Sequence, residues 1–225
     1  MKKLSFAFSY SFILLFVLSG CSNNLKTSAE ITDPFEDLNR NIFAFNKSID
    51  QNIVSPISDS YVKTIPYPVR KSVTNHLKWM DTPTTIVNSA LQIDLENTIL
   101  ASAKFMLNSL SLGLYDFDKN ETKIHKKDFG STLAKLNVPE GPFLMVPLLG
   151  PKTTRHFAGT ISDKQNLSNV SSDAVNKLSL VEIPINLVDK RSKLANNIDN
   201  IYESPDPYTK MKSYYIQNRR KNVYG

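Results

Sequence analysis

The sequence predicts an all-α protein, and three observations predict it. Apolar residues recur every three or four positions along most of the chain after residue 33. Prolines repeatedly follow a residue able to cap a helix, as in Asp33-Pro34, Thr82-Pro83 and Asp206-Pro207. The composition, 41% hydrophobic over 225 residues with no internal repeat or low-complexity block, suits one packed domain or two small ones. A single cysteine excludes a disulfide framework and any Cys-rich zinc or iron–sulfur site. The net charge of +6 includes two lysines of a leader, a modest excess that argues against a nucleic-acid partner.

The leader comes first. Lys2 and Lys3 precede an uncharged run from Leu4 to Leu18, the layout of a secretory signal and shorter than the roughly 20 residues that span a bilayer. Leu18-Ser19-Gly20-Cys21 then resembles a bacterial lipobox, which makes Cys21 an acylated N-terminus on a membrane. Ser22 stands where an aspartate would retain a lipoprotein at the inner membrane, so the expected address is the outer membrane, lipid-anchored on its periplasmic side. This divides the chain into a signal peptide (1–20), an acylated tether (21–32) and a single all-helical domain (33–225).

The first helix of that domain starts at Asp33-Pro34-Phe35-Glu36, read as a cap, a first-turn proline and a capping-box acid. Phe35, Leu38, Ile42, Phe45, Ile49 and Ile53 form its apolar stripe, and Pro56 ends it or opens a new turn. A second helix follows Pro66 and Pro68, and a third starts at Thr82-Pro83. The strongest helix runs from Asp94 to Leu112 with Gly113 as its C-terminal cap. It is apolar over most of its circumference, with one thin polar stripe of Asn97, Lys104, Asn108 and Ser111, the reverse of a water-facing helix. After a charged loop (Tyr115 to Asp128), Asp128 to Leu136 is a short helix.

Gly141 to Pro151 carries no charge and three prolines, too short to span a bilayer and too proline-rich for a helix or central strand. Two readings stay open for it: a rigid apolar hairpin or re-entrant loop, and a buried core loop. A further pattern follows Pro184, and the last helix restarts at Asp206-Pro207. Its Lys210, Lys212, Arg219, Arg220 and Lys221 form a solvated face or a contact with anionic headgroups. Catalytic signatures are missing: there is no Gly-x-Ser-x-Gly, and His76, His125 and His156 are far apart in the sequence. No carboxylate pair stands out, and Gly150-Pro151-Lys152-Thr153 lacks the glycines of a phosphate-binding loop. The expectation is a protein that is not an enzyme.

Several ordered motifs resemble the MlaA/VacJ family of lipoproteins. They are Asp33-Pro34-Phe35-Glu36-Asp37-Leu38-Asn39-Arg40 with Phe43 and Asn46, then Asn88-Ser89-Ala90-Leu91-Gln92, and Lys104-Phe105 with Leu107-Asn108. Phe129-Gly130-Ser131-Thr132-Leu133 follows, then Gly141 to Pro151 with Thr153, Arg155, Gly159 and Asp163, and finally Asp206-Pro207-Tyr208 and Tyr215. Ile93 and His156 depart from the pattern, standing where a glycine and an aspartate are expected.

The resemblance implies an all-helical ring with a central amphipathic channel and a hairpin that gates it. It also implies removal of mislocalised phospholipid from the outer leaflet. The implied partners are phospholipids, an outer-membrane porin trimer, and a soluble periplasmic carrier feeding an inner-membrane ABC complex. No cofactor is implied beyond the acyl chains on Cys21. On this reading Asn39, Phe43, Asn46, Asn97, Lys104 and Asn108 line the channel, with Lys104 either meeting the lipid phosphate or snorkelling to solvent. Gly141, Pro142, Pro147, Gly150 and Pro151 give the gate its stiffness and hinges. A structural or assembly lipoprotein without a lipid path, and a lipid or cell-wall hydrolase, are the competing readings.

Overall fold

The structure is a computed structural model that describes residues 31–118, 123–170 and 173–224, with backbone only between 166 and 182. The leader, Cys21 and the tether as far as Glu30 lie outside the described residues. Helix α1 (Glu36–Ile49) runs through a π-helical turn (Asp50–Val54) into α2 (Ser55–Thr64), with Pro56 in the first turn of α2. The predicted stripe from Phe35 to Ile53 therefore spans α1 and the π-helical turn, and Pro56 opens α2. The predicted cap is also different: Phe35 holds the N-cap position without a side-chain bond. Asp33 instead turns inward, accepting from Asn39 Nδ2 (2.8 Å), Lys212 Nζ (3.0 Å) and the Tyr208 hydroxyl. Burial alone would raise its pKa, but these three donors outweigh it and hold the carboxyl below its ordinary range.

Helix α3 (Tyr67–Leu91) is continuous, so the break predicted at Thr82-Pro83 is absent. Pro83 removes one N–H from the ladder, yet packing along α4 (Leu95–Ser109) keeps the helix whole. The Trp79 ring stacks on Phe105 at 5.3 Å, and its indole N–H donates to Ser109 Oγ (3.0 Å). Asp94 caps α4 through the Asn97 N–H (3.1 Å). At the far end Gly113 has φ +74°, and a Cβ there would lie 2.5 Å from Trp79 Cβ. Only glycine satisfies both demands.

The α3–α4 corner contains the first departure from the family pattern. Ile93 adopts φ 57°, left-handed backbone that a β-branched residue rarely tolerates, and it is 81% exposed. Ile93→Gly is expected to stabilise the fold by about 1 kcal/mol. Thermal unfolding checks this; a lower Tm for the variant would contradict it.

Beyond the loop, α5 (Phe129–Lys135) is opened by a reciprocal cap between Asp128 and Ser131. Strands β1 (Phe143–Val146) and β2 (Gly150–Thr153) pair antiparallel, with Phe143 opposite Thr153 and Val146 opposite Gly150. The uncharged segment is thus a hairpin with an exposed tip of Leu148 and Leu149. Helix α6 (Thr154–Val170) packs on α5, and α7 (Asp173–Tyr202) begins before Pro184 and runs through it. Helix α8 (Pro207–Tyr224) is capped by Asp206, as predicted.

The pattern of burial is inverted. The apolar cluster consists of Phe43, Phe143, Met145 and Tyr208, between α1, the hairpin and α8. Elsewhere helices bury polar faces: Thr85, Asn88 and Ser89 on α3 with Gln92 at its C-cap, spaced i, i+3, i+4, i+7, and Asn97 and Asn108 on α4. Val87, Leu91, Leu95, Ile99, Met106 and Leu110 face outward instead, with Phe35, Leu38 and Phe45 doing so on α1. Among the described residues buried polar and charged side chains outnumber buried apolar ones, and no helix is long and apolar enough to cross a membrane.

Candidate functional site: a polar interior beside an apolar hairpin

The buried stripe of α3 meets α5 and α6. Asn88 donates to Asp163 Oδ1 (3.0 Å) and accepts from Thr132 Oγ1 (2.8 Å), while Gln92 Nε2 donates to Ser131 Oγ and Thr132 Oγ1 (both 3.0 Å). Asp163 also accepts from the Phe129 N–H (2.9 Å). Burial pushes its pKa up, and those two bonds only partly offset this. Gly130 and Gly159 let the α5 and α6 backbones touch. Arg219 of α8 closes the network with a two-pronged contact to Asp128 (2.6 and 2.8 Å). Burial would raise Asp128, but the Arg219 fork and the Ser131 N–H hold it below the usual carboxylate range.

The hairpin is held by two asparagines one heptad apart. Asn39 donates to Phe143 O (3.2 Å) and accepts from Met145 N–H (2.8 Å). Asn46 repeats this with Val146 O (3.0 Å) and Leu148 N–H (2.9 Å). Each amide takes the carbonyl of one residue and the N–H two residues on, as a neighbouring strand would. Phe43 lies between them in the apolar cluster. On the other edge the Thr153 N–H donates to Tyr215 Oη (3.0 Å), and His156 Nδ1 lies 2.9 Å from the same oxygen.

Of the six residues expected to line a channel, Phe43 lies in the apolar cluster and the other five have their polar atoms engaged within the chain. Asn39 is 1% exposed, so it is a clamp rather than an open wall. On α4, Asn97 holds the loop through both the N–H (2.8 Å) and the C=O (2.9 Å) of His125. Asn108 bonds Asp116 (3.1 Å) and the Phe117 N–H (3.0 Å). Lys104 is paired with Asp116 (3.2 Å) and Asp118 (3.1 Å), so two carboxylates already neutralise it and it has no free charge for a phosphate. The thin polar stripe is thus the seat of the charged loop that follows it in sequence. The α8 cations are corrected similarly: Lys212, Arg219 and Arg220 pair with Asp33, Asp128 and Glu140, leaving Lys221 and Lys210, which donates to Asn200 O (2.8 Å), exposed.

Comparison with known proteins locates this arrangement. The family model described as MlaA lipoprotein matches residues 31–222. The chain belongs to the MlaA lipoprotein family. Similar proteins include an intermembrane phospholipid transport system lipoprotein of Haemophilus influenzae, 25% identical and covering 92% of this chain and 86% of that one. The same-named protein of Escherichia coli strain K12 is 27% identical over 89% of this chain and 82% of its own. A solved structure from work on the structural basis for maintenance of bacterial outer membrane lipid asymmetry superposes with a TM-score of 0.73. It is 26% identical and covers 85% of this chain and 99% of that one.

The MlaA motifs of this chain now have physical content: Asn39 and Asn46 clamp the hairpin, Asn88 and Gln92 bridge α3 to α5, and Gly159 admits Gly130. Sequence reasoning missed the α3 stripe as a unit. Its signal was there, four polar residues at core spacing among apolar ones that would ordinarily fill those positions. It also missed His156, whose ring stacks on Tyr215 with the planes 2° apart. Burial, then Arg219 and Lys152, push the His156 pKa down to about 3. The unfolded chain binds that proton near pH 6.5, so folding loses stability as pH falls from 6.5 toward 3, by about 1.4 kcal/mol per pH unit. His156→Gln is expected to unfold with a shallower acid dependence between pH 6.5 and 5; parallel melting curves would contradict this.

Proposed function

We propose that this chain is an outer-membrane lipoprotein that takes mislocalised phospholipid from the outer leaflet and passes it to a periplasmic carrier. The observation that carries this is the inversion of α3 and α4, polar faces inward and apolar faces outward. A leaflet of acyl chains is the solvent such a surface fits. Ile93, Leu95, Ile99, Met106, Leu110 and Leu112 line that exterior. Burying about 1.5 kcal/mol worth of each would contribute on the order of 10 kcal/mol of membrane affinity. Acyl chains on Cys21 add to it.

A headgroup crossing hydrocarbon unsolvated costs several kcal/mol, and a polar interior enclosed by such helices removes that cost. The hairpin is read as the gate, with its base fixed by Asn39 and Tyr215 and its Pro147–Leu149 tip moving when the Asn46 clamp on the Leu148 N–H releases. The names of the Haemophilus and Escherichia relatives support transport of phospholipid. A porin trimer, a soluble carrier and an inner-membrane ABC complex are the proposed partners, and the protein itself acts as a passive conduit. Native mass spectrometry of the acylated protein, extracted from membranes, tests the reading. Co-purifying phospholipid is expected, and its absence together with normal outer-leaflet lipid in a deletion strain would overturn it.

A further inference from the structure

We infer that Lys152 of β2 is the centre of a phosphate-binding site on the polar side of the hairpin. The reading of phospholipid transport supplies one source of that phosphate; the anion site itself rests on the geometry below. In the antiparallel register Lys152 stands opposite Leu144, so the two share one face of the hairpin, while Phe143, Met145 and Thr153 share the other. That other face is buried against α1 and α8. Lys152 is thereby turned away from the apolar cluster, toward His156 of α6.

Its ammonium is under-compensated. Nζ has one acceptor, His156 Nε2 at 3.3 Å, and among the described residues no carboxylate oxygen lies within ion-pair distance. Asp128, the carboxylate that acts on it electrostatically, already has one oxygen on each prong of the Arg219 fork. Other basic side chains of the interior face carboxylates: Arg155 and Arg220 share Glu140, Arg191 meets Asp50, and Lys212 meets Asp33. Around Lys152, Arg219, Lys190 and Lys164 add positive charge, and Asp128 offsets only part of it. Burial and these cations push its pKa down to about 8, so the fold sustains an ammonium at some cost.

The geometry also fixes what the site offers. Tyr215 Oη accepts the Thr153 N–H and lies 2.9 Å from His156 Nδ1. A neutral His156 that donates from Nδ1 to Tyr215 keeps its Nε2 lone pair toward Lys152. The ring takes one ammonium proton and leaves two N–H donors for a ligand. A compact cation with two free donors, and with no carboxylate oxygen within ion-pair distance among the described residues, suits a phosphate monoester, diester or inorganic phosphate. Lys104, the cation that sequence reasoning selected, lacks these properties because Asp116 and Asp118 occupy it.

The test uses full-length acylated protein in detergent and follows the His156 ring by NMR. One arm titrates inorganic phosphate, the other a short-chain phosphatidylglycerol below its micelle concentration. In the unaltered protein the His156 signals are expected to move with added anion. Response to both ligands assigns the site to a lipid headgroup, and response to inorganic phosphate alone assigns it to a free anion.

Lys152→Met is expected to weaken binding tenfold or more while leaving Tm equal or higher, since it removes an uncompensated cation. His156→Asp supplies the missing counter-charge and, with binding read by calorimetry because the reporting ring is gone, is expected to abolish phosphate binding and raise Tm. An unmoved His156 in the unaltered protein, or unchanged affinity in Lys152→Met, overturns the proposal. So does a lowered Tm in both variants, which would make Lys152 a structural residue. Failure of the transport reading looks different: no co-purifying lipid, whatever inorganic phosphate does at His156.

Discussion

Gly159→Ala is expected to lose at least about 3 kcal/mol of stability, although alanine is ordinarily worth about 1 kcal/mol over glycine inside a helix. The sign reverses because the new Cβ would sit 2.3 Å from Gly130 N and 2.7 Å from Gly130 Cα. Neither atom belongs to a flexible side chain, so α5 must move off α6. Moving α5 stretches the Asp128–Arg219 fork, the Thr132–Asn88 bond and the Gln92 contacts together. Thermal unfolding of purified protein should show Tm lower by roughly 6–12 °C. A variant melting with the unaltered protein would show that the two backbones are not in contact.

Asn39→Leu, close in shape but without hydrogen-bonding groups, is expected to cost about 3 kcal/mol or more. It leaves the Phe143 carbonyl and Met145 N–H unmet beside the apolar cluster and removes one donor from Asp33. Its effect should be directional. Amide exchange at Met145 should accelerate at least tenfold, while Asn46→Leu, whose site is less buried, should accelerate Leu148 instead at a smaller stability cost. If the two variants loosen the same amides, the asparagines do not clamp separate parts of β1.

The helices were readable because their apolar spacing and caps are local: Asp94, Asp128 and Asp206 all cap the helices they precede. Asp33 was misread because its partners, Asn39, Tyr208 and Lys212, are largely distant in sequence and compete with the local cap. Pro83 was misread as a boundary because packing against α4 overrides one lost hydrogen bond. The inward direction of the α4 stripe was legible from its ratio of apolar to polar residues. Its partners were not, since nothing in the spacing of Asn97, Lys104 and Asn108 tells water from a folded-back loop. Gly113 and Gly159 show the same limit: glycine is visible in sequence, but the Trp79 ring or Gly130 backbone that requires it is not.

Whether the α4 exterior lies in hydrocarbon is tested by placing an environment-sensitive fluorophore on single cysteines introduced at Met106 and Leu110, with Lys126 as the exposed polar control. The acylated protein in outer-membrane-like vesicles should show quenching of Met106 and Leu110 by nitroxide-labelled acyl chains and protection from aqueous iodide, with the reverse at Lys126. Iodide reaching all three positions equally would contradict an apolar surface turned to lipid.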